Sequence, residues 1–282
     1  MKIFETGQTN QSAIRIPHTE SPLYASEDVE LIPRTIIKMI YTPLSIFKDD
    51  IRKAVIYLNH PICLPETLFK RLWKNAYPVA FVDGFANHIY RNINYRNNYF
   101  PHFLTGDFDS IQLGVLEFYR SVKNVSVIET PDQEETDFTK CVRIIISSIK
   151  ENNKKVDVLV AAQMSGGRFD HEMGLIKTLY EAKKLTNIPL LLVSECSVTF
   201  LLDEGEHTIN ANTGYEAQHV GLIPVGQPCQ VTTTGLQWNL ENGTLSFNDI
   251  VSSSNRLSNE IVHVKCNRPL LFTMEYKNDM IN

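Results

Sequence analysis

The sequence has few cysteines, no long basic run and no long apolar stretch. Its five cysteines are odd in number and include no CxxC pair, which argues against a disulfide framework or a zinc site. The longest strongly apolar runs, such as Val156–Ala162 and Ile188–Val193, are strand-length and too short to span a membrane. The N-terminus lacks the apolar stretch of a signal peptide. We therefore expect a cytoplasmic protein with reduced thiols and no membrane partner.

Positive charge is also scarce. The 282 residues carry a formal net charge of −5, and lysine and arginine are not clustered. Nucleic-acid binding relies on clustered positive charge, so we expect no nucleic-acid partner. A small phosphate-bearing substrate stays possible, because a few local cations can hold it. A hydrophobic fraction of 43% is ordinary for a globular chain of this length.

Strand-like and helix-like segments alternate between residues 53 and 194. This alternation predicts an α/β fold with a Rossmann-like, largely parallel sheet and helices on both faces. The predicted strands are Lys53–Asn59, Tyr77–Asp83, His102–Thr105, Val125–Glu129, Val156–Gln163 and Pro189–Ser194. The predicted helices are Leu64–Asn75, a segment from Phe85, Ile111–Ser121, Asp137–Lys150 and Asp170–Lys184.

The pattern changes after residue 195. Short β-branched segments separated by Gly, Asn or Pro predict a C-terminal all-β sandwich. They are Ser197–Leu202, His207–Asn210, Gly214–Ile223, Gln230–Thr233, Thr244–Phe247 and Ile261–Lys265. We thus predict a polar N-terminal tail over residues 1–30, an α/β domain over 31–195 and the sandwich over 196–282.

Four acidic motifs follow predicted strands, where ligands bind in open α/β sheets. They are Phe81–Asn87 (FVDGFAN), Thr105–Ser110 (TGDFDS), Pro131–Lys140 (PDQEETDFTK) and Ser165–His171 (SGGRFDH). Each alone could be an ordinary turn, because Asp and Gly are common turn residues. Four in succession indicate a binding site.

The Asp107–Asp109 pair is the most informative of these features. Residues two apart in an extended segment point to the same side, so the carboxylates can converge on a cation. Oxygen-only ligands suit Mg²⁺, which substrate phosphates and water usually complete. Asp137 is a third candidate. The alternatives are a turn with solvated aspartates and, for Asp137, an interaction with the helix dipole.

The Gly166–Gly167–Arg168 turn precedes a predicted helix. Backbone N–H groups and a guanidinium there could bind phosphate. Alternatively, this is a tight turn in which Asp170 caps the helix. No paired nucleophile is visible for His171, so we interpret it as structural.

Taken in order, these motifs resemble those of the thiamine pyrophosphokinase family, which run approximately ADGGAN, GDFDSI, DQDxTDFxKC and GGRFDH. Three C-terminal segments, Thr234–Leu240 (TGLQWNL), Val251–Asn255 (VSSSN) and Pro269–Phe272 (PLLF), resemble the family's TGLxWNL, VSTSN and PLLW. The resemblance spans roughly residues 53 to 275. It implies a homodimer in which the hydroxyl of thiamine attacks the β-phosphorus of ATP and AMP leaves.

The resemblance also implies roles for individual residues. The Mg²⁺ and catalytic set would be Asp83, Asp107, Asp109 and Asp137, with Arg168 as a catalytic cation. ATP would be contacted by Asp83, Gly84, Asn87, Gln133, Thr136, Lys140 and Arg168. Thiamine would be bound by Gln133, Asp170, Trp238, Ser254 and Asn255, with the sandwich pocket completed by the partner subunit. Without the resemblance, Trp238 would be interpreted as a core residue of the sandwich.

Three positions depart from the family pattern: Phe85 replaces a glycine, Glu134 an aspartate and Phe272 a tryptophan. We interpret all three as tolerated. Phe85 would obstruct a phosphate if the backbone there approaches one closely, whereas its ring can pack outward if the residue only starts a helix. The alternatives to an active thiamine pyrophosphokinase are a non-catalytic thiamine-binding regulator and a pyrophosphokinase for a related alcohol. The phosphate-transfer residues argue against the first, and the WNL and SSN motifs argue against the second.

Overall fold

The computed structural model describes residues 38–59, 65–162 and 168–280. The predicted N-terminal tail, the Gly166–Gly167 turn and the predicted element ends at Leu64 and Gln163 lie outside these ranges. Within the described part, no helix is both long and apolar enough to cross a membrane.

The α/β region is built on six parallel strands. Their order is β7-β6-β2-β3-β4-β5, and each neighbouring pair is parallel. The strands are β2 (Lys53–Tyr57), β3 (Ala76–Val82), β4 (Phe103–Gly106), β5 (Ser126–Glu129), β6 (Val158–Ala162) and β7 (Leu190–Val193). Strands β2 and β6 are buried along their whole length, as expected for a parallel sheet covered on both faces.

Helices cover both faces of these strands. On one face, Val55 and Tyr57 pack in a cluster with α1, α2 and α4; on the other, Ala54 and Ile56 pack with α5 and α6. Alternate residues of a strand point to opposite faces, which explains the division. The helices are α1 (Glu66–Trp73), α2 (Phe85–Arg91), α3 (Ile93–Arg96), α4 (Leu113–Ser121), α5 (Asp137–Glu151) and α6 (Phe169–Leu185).

The large sheet does not end with the α/β region. Strand β7 pairs antiparallel with β8, and the sheet continues as β8-β15-β10-β13 to give ten strands. The added strands are β8 (Ser197–Leu202), β10 (Glu216–Ile223), β13 (Ser252–Arg256) and β15 (Leu270–Tyr276). The predicted α/β region and the predicted sandwich therefore share one sheet.

A second sheet of five strands forms the other layer of the sandwich. Its order is β1-β9-β14-β11-β12, from β1 (Lys38–Tyr41), β9 (Gly205–Asn210), β11 (Cys229–Thr234), β12 (Gly243–Leu245) and β14 (Ile261–Cys266). Ile209, Val231 and Val262 share one buried cluster with Phe200 and Phe272 of the large sheet. Residues 38–41 fall within the predicted α/β domain, but they form β1, which pairs with β9 in the second sheet.

The predicted mixed α/β fold is confirmed, and most elements lie within a few residues of their predicted bounds. Besides β1, the sequence analysis missed α3, β13 and β15 as elements. It also missed two short 3-10 helices, Pro43–Phe47 and Asn278–Met280.

Candidate active site

Three aspartates lie together at the carboxyl ends of β3 and β4. Asp83 directly follows β3, and Asp107 and Asp109 follow β4, its parallel neighbour. One carboxylate oxygen of each lies within 4.8 Å of the others. The structure thus brings together three of the four predicted metal ligands.

The backbone here is shaped by residues with positive φ. Asp83 has φ 44° and Phe108, between the paired aspartates, has φ 63°. Gly106 has φ 152°, and a Cβ atom at this position would lie 2.9 Å from the Cβ of Asp83. A side chain at Gly106 would therefore push Asp83 away from its neighbours. Gly106 was not among the predicted site residues. Its position directly before the Asp107–Asp109 pair could have indicated its role, because glycine adopts positive φ more readily than other residues.

The carboxylates of Asp83 and Asp107 have opposite surroundings. Asp83 is 4% exposed, and burial raises the pKa of its carboxyl. Its buried Oδ1 atom has no hydrogen-bond partner within the described residues. Gln133 Nε2 donates to Asp107 Oδ2 at 3.0 Å, and this bond holds the pKa of Asp107 below its usual value. The cluster therefore pairs a buried, unsatisfied carboxylate with an accessible, ionised one.

This arrangement fits a hard divalent cation. Three carboxylate oxygens face one another, and the buried Asp83 Oδ1 atom is left unsatisfied. An unsatisfied buried acceptor costs free energy, and a cation between like charges removes both penalties. Oxygen-only donors favour Mg²⁺ over Zn²⁺ or copper.

Asp137 and Lys140 pair with each other at the start of α5. Lys140 Nζ lies 2.8 Å from Asp137 Oδ1 and donates to the carbonyls of Thr130 and Asp132 at 2.6 and 2.7 Å. Asp137 is near enough for its charge to raise the pKa of Asp83, but it is not one of the three converging carboxylates. Lys140, predicted to contact ATP, is buried here and stabilises the loop before α5 through these hydrogen bonds.

Asn87 and Thr136 also hold local structure. The Asn87 amide donates to the Ser110 carbonyl at 2.8 Å and accepts from the Gln112 backbone at 3.0 Å. Thr136 caps α5 by accepting from the Thr139 backbone at 3.2 Å. Both were predicted as ATP contacts, and both side chains are engaged in positioning the acidic loops.

Arg168 and Asp170 form an exposed ion pair beside this edge. Arg168 Nε donates to Asp170 Oδ1 at 3.1 Å, and the hydrogen bonding to Asp170, together with its charge, raises the pKa of Arg168. Helix α6 begins at Phe169, so Asp170 lies in its first turn and does not cap it. Two guanidinium nitrogens of Arg168, Nε and Nη2, are engaged by Asp170.

Phe85 points into the core. It begins α2, is 6% exposed and stacks on Tyr57 with ring centroids 5.2 Å apart. The ring of Phe81 packs edge-on against it, with ring centroids 5.0 Å apart. Phe85 starts a helix, as one of the two alternatives held, but its ring packs inward between α2 and the sheet. The ring therefore leaves the acidic loops unobstructed.

Trp238 lies in the sandwich, and its side chain faces solvent. It is 54% exposed, which rules out the core interpretation. Asn255, 3% exposed, accepts from the Trp238 backbone N–H at 3.2 Å and donates to its carbonyl at 2.8 Å. Ser254 is exposed beside it on β13. Asn255, predicted to bind thiamine, uses its amide to fix Trp238.

The acidic cluster and Trp238 are associated with strands near opposite ends of the ten-stranded sheet. Strand β13, which carries Asn255, is the first of the ten strands, and β4 is the ninth, so eight inter-strand steps separate them. At about 4.8 Å a step, the path along the sheet is roughly 38 Å. The two features are therefore associated with well-separated strands of one sheet.

Comparisons with known proteins agree with the motifs. Residues 69–192 match the family described as thiamin pyrophosphokinase, catalytic domain. Residues 206–271 match thiamin pyrophosphokinase, vitamin B1 binding domain. The two matches fall on either side of the predicted boundary near residue 195.

Relatives match most of the chain. It is 36% identical over 240 residues to thiamine pyrophosphokinase 1 of Oryza sativa subsp. japonica, which covers 80% of this chain and 88% of the relative. Identity to thiamine pyrophosphokinase 1 of Arabidopsis thaliana is 35% over 238 residues, with 80% and 87% covered. A solved structure, thiamin pyrophosphokinase from Candida albicans, has the same fold. Its TM-score is 0.74 at 24% identity, with 86% of this chain and 96% of that chain covered.

Proposed function

Because the chain belongs to the thiamine pyrophosphokinase family, we propose that it moves the pyrophosphoryl group of ATP onto the hydroxyl of thiamine. The products are thiamine diphosphate and AMP. The observation that carries this proposal is the convergence of Asp83, Asp107 and Asp109 at the carboxyl ends of adjacent parallel strands. We further propose a cytoplasmic location, in keeping with the free thiols of Cys141, Cys196, Cys229 and Cys266.

The chain's contribution to this reaction is alignment and charge. Such transfers need little covalent work from the protein, so positioning and neutralisation of phosphate charge supply most of the catalysis. Asp83, Asp107 and Asp109 would hold Mg²⁺, which neutralises charge on the phosphates. Gln133 orients Asp107 by its hydrogen bond, and Lys140 holds the loop that carries Gln133. Arg168 would exchange Asp170 for a phosphate oxygen.

The complete site would be formed by two subunits. Trp238 offers an exposed flat face to the cationic thiazolium or the aminopyrimidine ring of thiamine. That face lies roughly 38 Å along the sheet from the acidic cluster of its own chain. A second copy is the simplest source of an acidic cluster next to it. We therefore propose a homodimer with two shared sites.

Product analysis tests the reaction. The purified chain, incubated with thiamine, ATP and Mg²⁺, should form AMP and thiamine diphosphate in equal amounts. Accumulation of ADP with thiamine monophosphate would refute pyrophosphoryl transfer. Thiamine binding without any product would instead favour a non-catalytic thiamine-binding protein.

Subunit complementation tests the shared site. Mixing Trp238→Ala with Asp107→Asn subunits should restore activity, because in a hybrid dimer one site collects both substitutions and the other collects none. If each site were formed within one subunit, every site in the hybrid would carry a substitution. Absence of restored activity in a preparation shown to contain hybrids would therefore refute the shared site and leave the reaction unaffected.

A further inference from the structure

Asn59 lies at the end of the strand from which the chain builds the parallel sheet first to one side and then to the other. It follows β2, whose two neighbours in the sheet are β3 and β6. From β2 the chain adds β3, β4 and β5 on one side, then returns to add β6 and β7 on the other. In open α/β sheets, ligands bind in the crevice at the carboxyl ends of strands at such a reversal. Asn59 was not among the predicted site residues.

The amide of Asn59 lies against Gly84, next to the buried Asp83. A Cβ atom at Gly84 would lie 2.7 Å from Asn59 Nδ2 and 3.0 Å from its Cγ and Oδ1. The Gly84 backbone is right-handed helical, with φ −58°, so an alanine there would be obstructed by this amide and not by its own backbone. The missing side chain of Gly84 thus creates the space that Asn59 occupies beside the acidic cluster.

Asn59 is exposed, and no hydrogen bond or ion pair is found for its side chain among the described residues. The nearby cations are engaged: Lys140 contacts three oxygens, and Arg168 pairs with Asp170. A neutral amide with two N–H donors can approach a phosphate chain without disturbing the carboxylates. Asn59 is therefore a donor that remains available at this edge.

We infer that Asn59 contacts the phosphate chain of ATP and that Gly84 is required to leave room for its amide. This inference rests on the proposed function, because it assumes that ATP binds at the acidic cluster.

The test measures binding of ATP with Mg²⁺, without thiamine, by titration calorimetry. Asn59→Ala should weaken ATP binding by about tenfold to a hundredfold, the usual effect of losing a hydrogen bond to a charged group. Asn59→Asp should weaken it at least as much, because a fourth negative charge faces the phosphates. The KM for thiamine and the thermal midpoint should stay unchanged. The matched control is Asn97→Ala, an exposed asparagine that ends α3 and leads to the amino end of β4.

A double-mutant cycle links the two residues. Gly84→Ala should weaken ATP binding by displacing the amide, and Gly84→Ala with Asn59→Ala should bind no more weakly than Gly84→Ala alone. Unchanged ATP binding in Asn59→Ala, or additive losses in the double variant, would overturn the inference. If the wild-type chain binds ATP and responds to Asn59→Ala but forms no thiamine diphosphate, the proposed function fails and the contact stands.

Discussion

Near one edge of the ten-stranded sheet, β4 ends in two aspartates that meet Asp83. At the other edge, β13 carries Asn255 beneath an exposed tryptophan. The acidic edge leaves a buried carboxylate oxygen of Asp83 without a partner in the described residues. At the sandwich edge, the buried amide of Asn255 is fully engaged with backbone atoms of Trp238.

This difference separates two kinds of binding. Unsatisfied charge persists at a site only where a ligand compensates it, whereas an exposed aromatic face over a fixed backbone recognises a flat ring. In the proposed reaction, the acidic edge would therefore bind the polyphosphate, and the sandwich edge would bind the ring-bearing alcohol. Substitutions at the acidic edge should impair catalysis without affecting stability. Buried substitutions elsewhere should do the reverse.

The largest effect is expected from Asp107→Asn and from Asp109→Asn. Losing a metal-binding carboxylate should remove several kcal/mol of transition-state stabilisation, about a thousandfold in kcat/KM. The thermal midpoint should hold, because neither side chain is in the core. The matched control is Asp132→Asn in the next loop, whose carboxylate accepts only from the Glu134 backbone within the described residues. Near-wild-type activity in both variants at ordinary Mg²⁺ would remove the pair from the site.

The second prediction concerns the buried amine of Lys53, whose positive charge lowers the stability of the folded chain. Lys53 begins β2, is 2% exposed and donates to the carbonyls of Ile46 and Arg71 at 2.9 and 3.2 Å. Burial lowers its pKa to about 8. Between about pH 8 and 10.5 the unfolded chain binds more protons than the folded one, so stability rises with pH there, by about 3 kcal/mol.

Urea unfolding at pH 7.5, 9 and 10.5 checks this prediction. The wild-type free energy of unfolding should rise across the series, and Lys53→Met should lack that rise. Lys48→Met is a suitable control, because Lys48 is exposed and close in sequence. Parallel curves for the wild type and Lys53→Met would show that Lys53 is charged equally easily in both states.

Much of the fold could be predicted because the α/β segments are long, apolar and alternating. Strand β1 could not be predicted, because it lies outside the α/β alternation and its partner β9 is far along the chain. Strand β13 was missed because SSSNR has the composition of a loop. Its pairing with β10 depends on tertiary context, not on intrinsic preference.

The site was predictable only in part. The spacing of Asp107 and Asp109 predicted their convergence from an extended segment, but they converge around Phe108, which has φ 63°. Asp83 joins them only because β3 and β4 are neighbours. The burial of Lys140 depends on carbonyls of a loop whose path the sequence does not specify. The wide separation of Trp238 from the aspartates follows from strand order, which no local pattern encodes.

A third, smaller effect is expected from Asn255→Ala. Its amide satisfies the Trp238 backbone in a buried place, so its loss should lower the free energy of unfolding by about 1–3 kcal/mol. Unlike the Lys53 effect, this loss should not vary between pH 7.5 and 10.5, because an amide does not titrate. Urea unfolding measures both properties. A loss that changes with pH would mean that a titrating neighbour, not the amide, is responsible.

The smallest effect is expected from Trp238→Ala, and it should fall on one substrate. An aromatic–cation contact contributes about 0.5–2 kcal/mol, so the KM for thiamine should rise between about twofold and thirtyfold. The KM for ATP should stay unchanged because the proposed contact of Trp238 is with thiamine, and the thermal midpoint should stay unchanged because Trp238 is 54% exposed. Trp238→Phe should recover part of the affinity. The matched control is Phe247→Ala, an aromatic that is 67% exposed between β12 and β13. Equal changes in both KM values, or an equal change in Phe247→Ala, would mean that Trp238 supports the surface of the sandwich and does not contact thiamine.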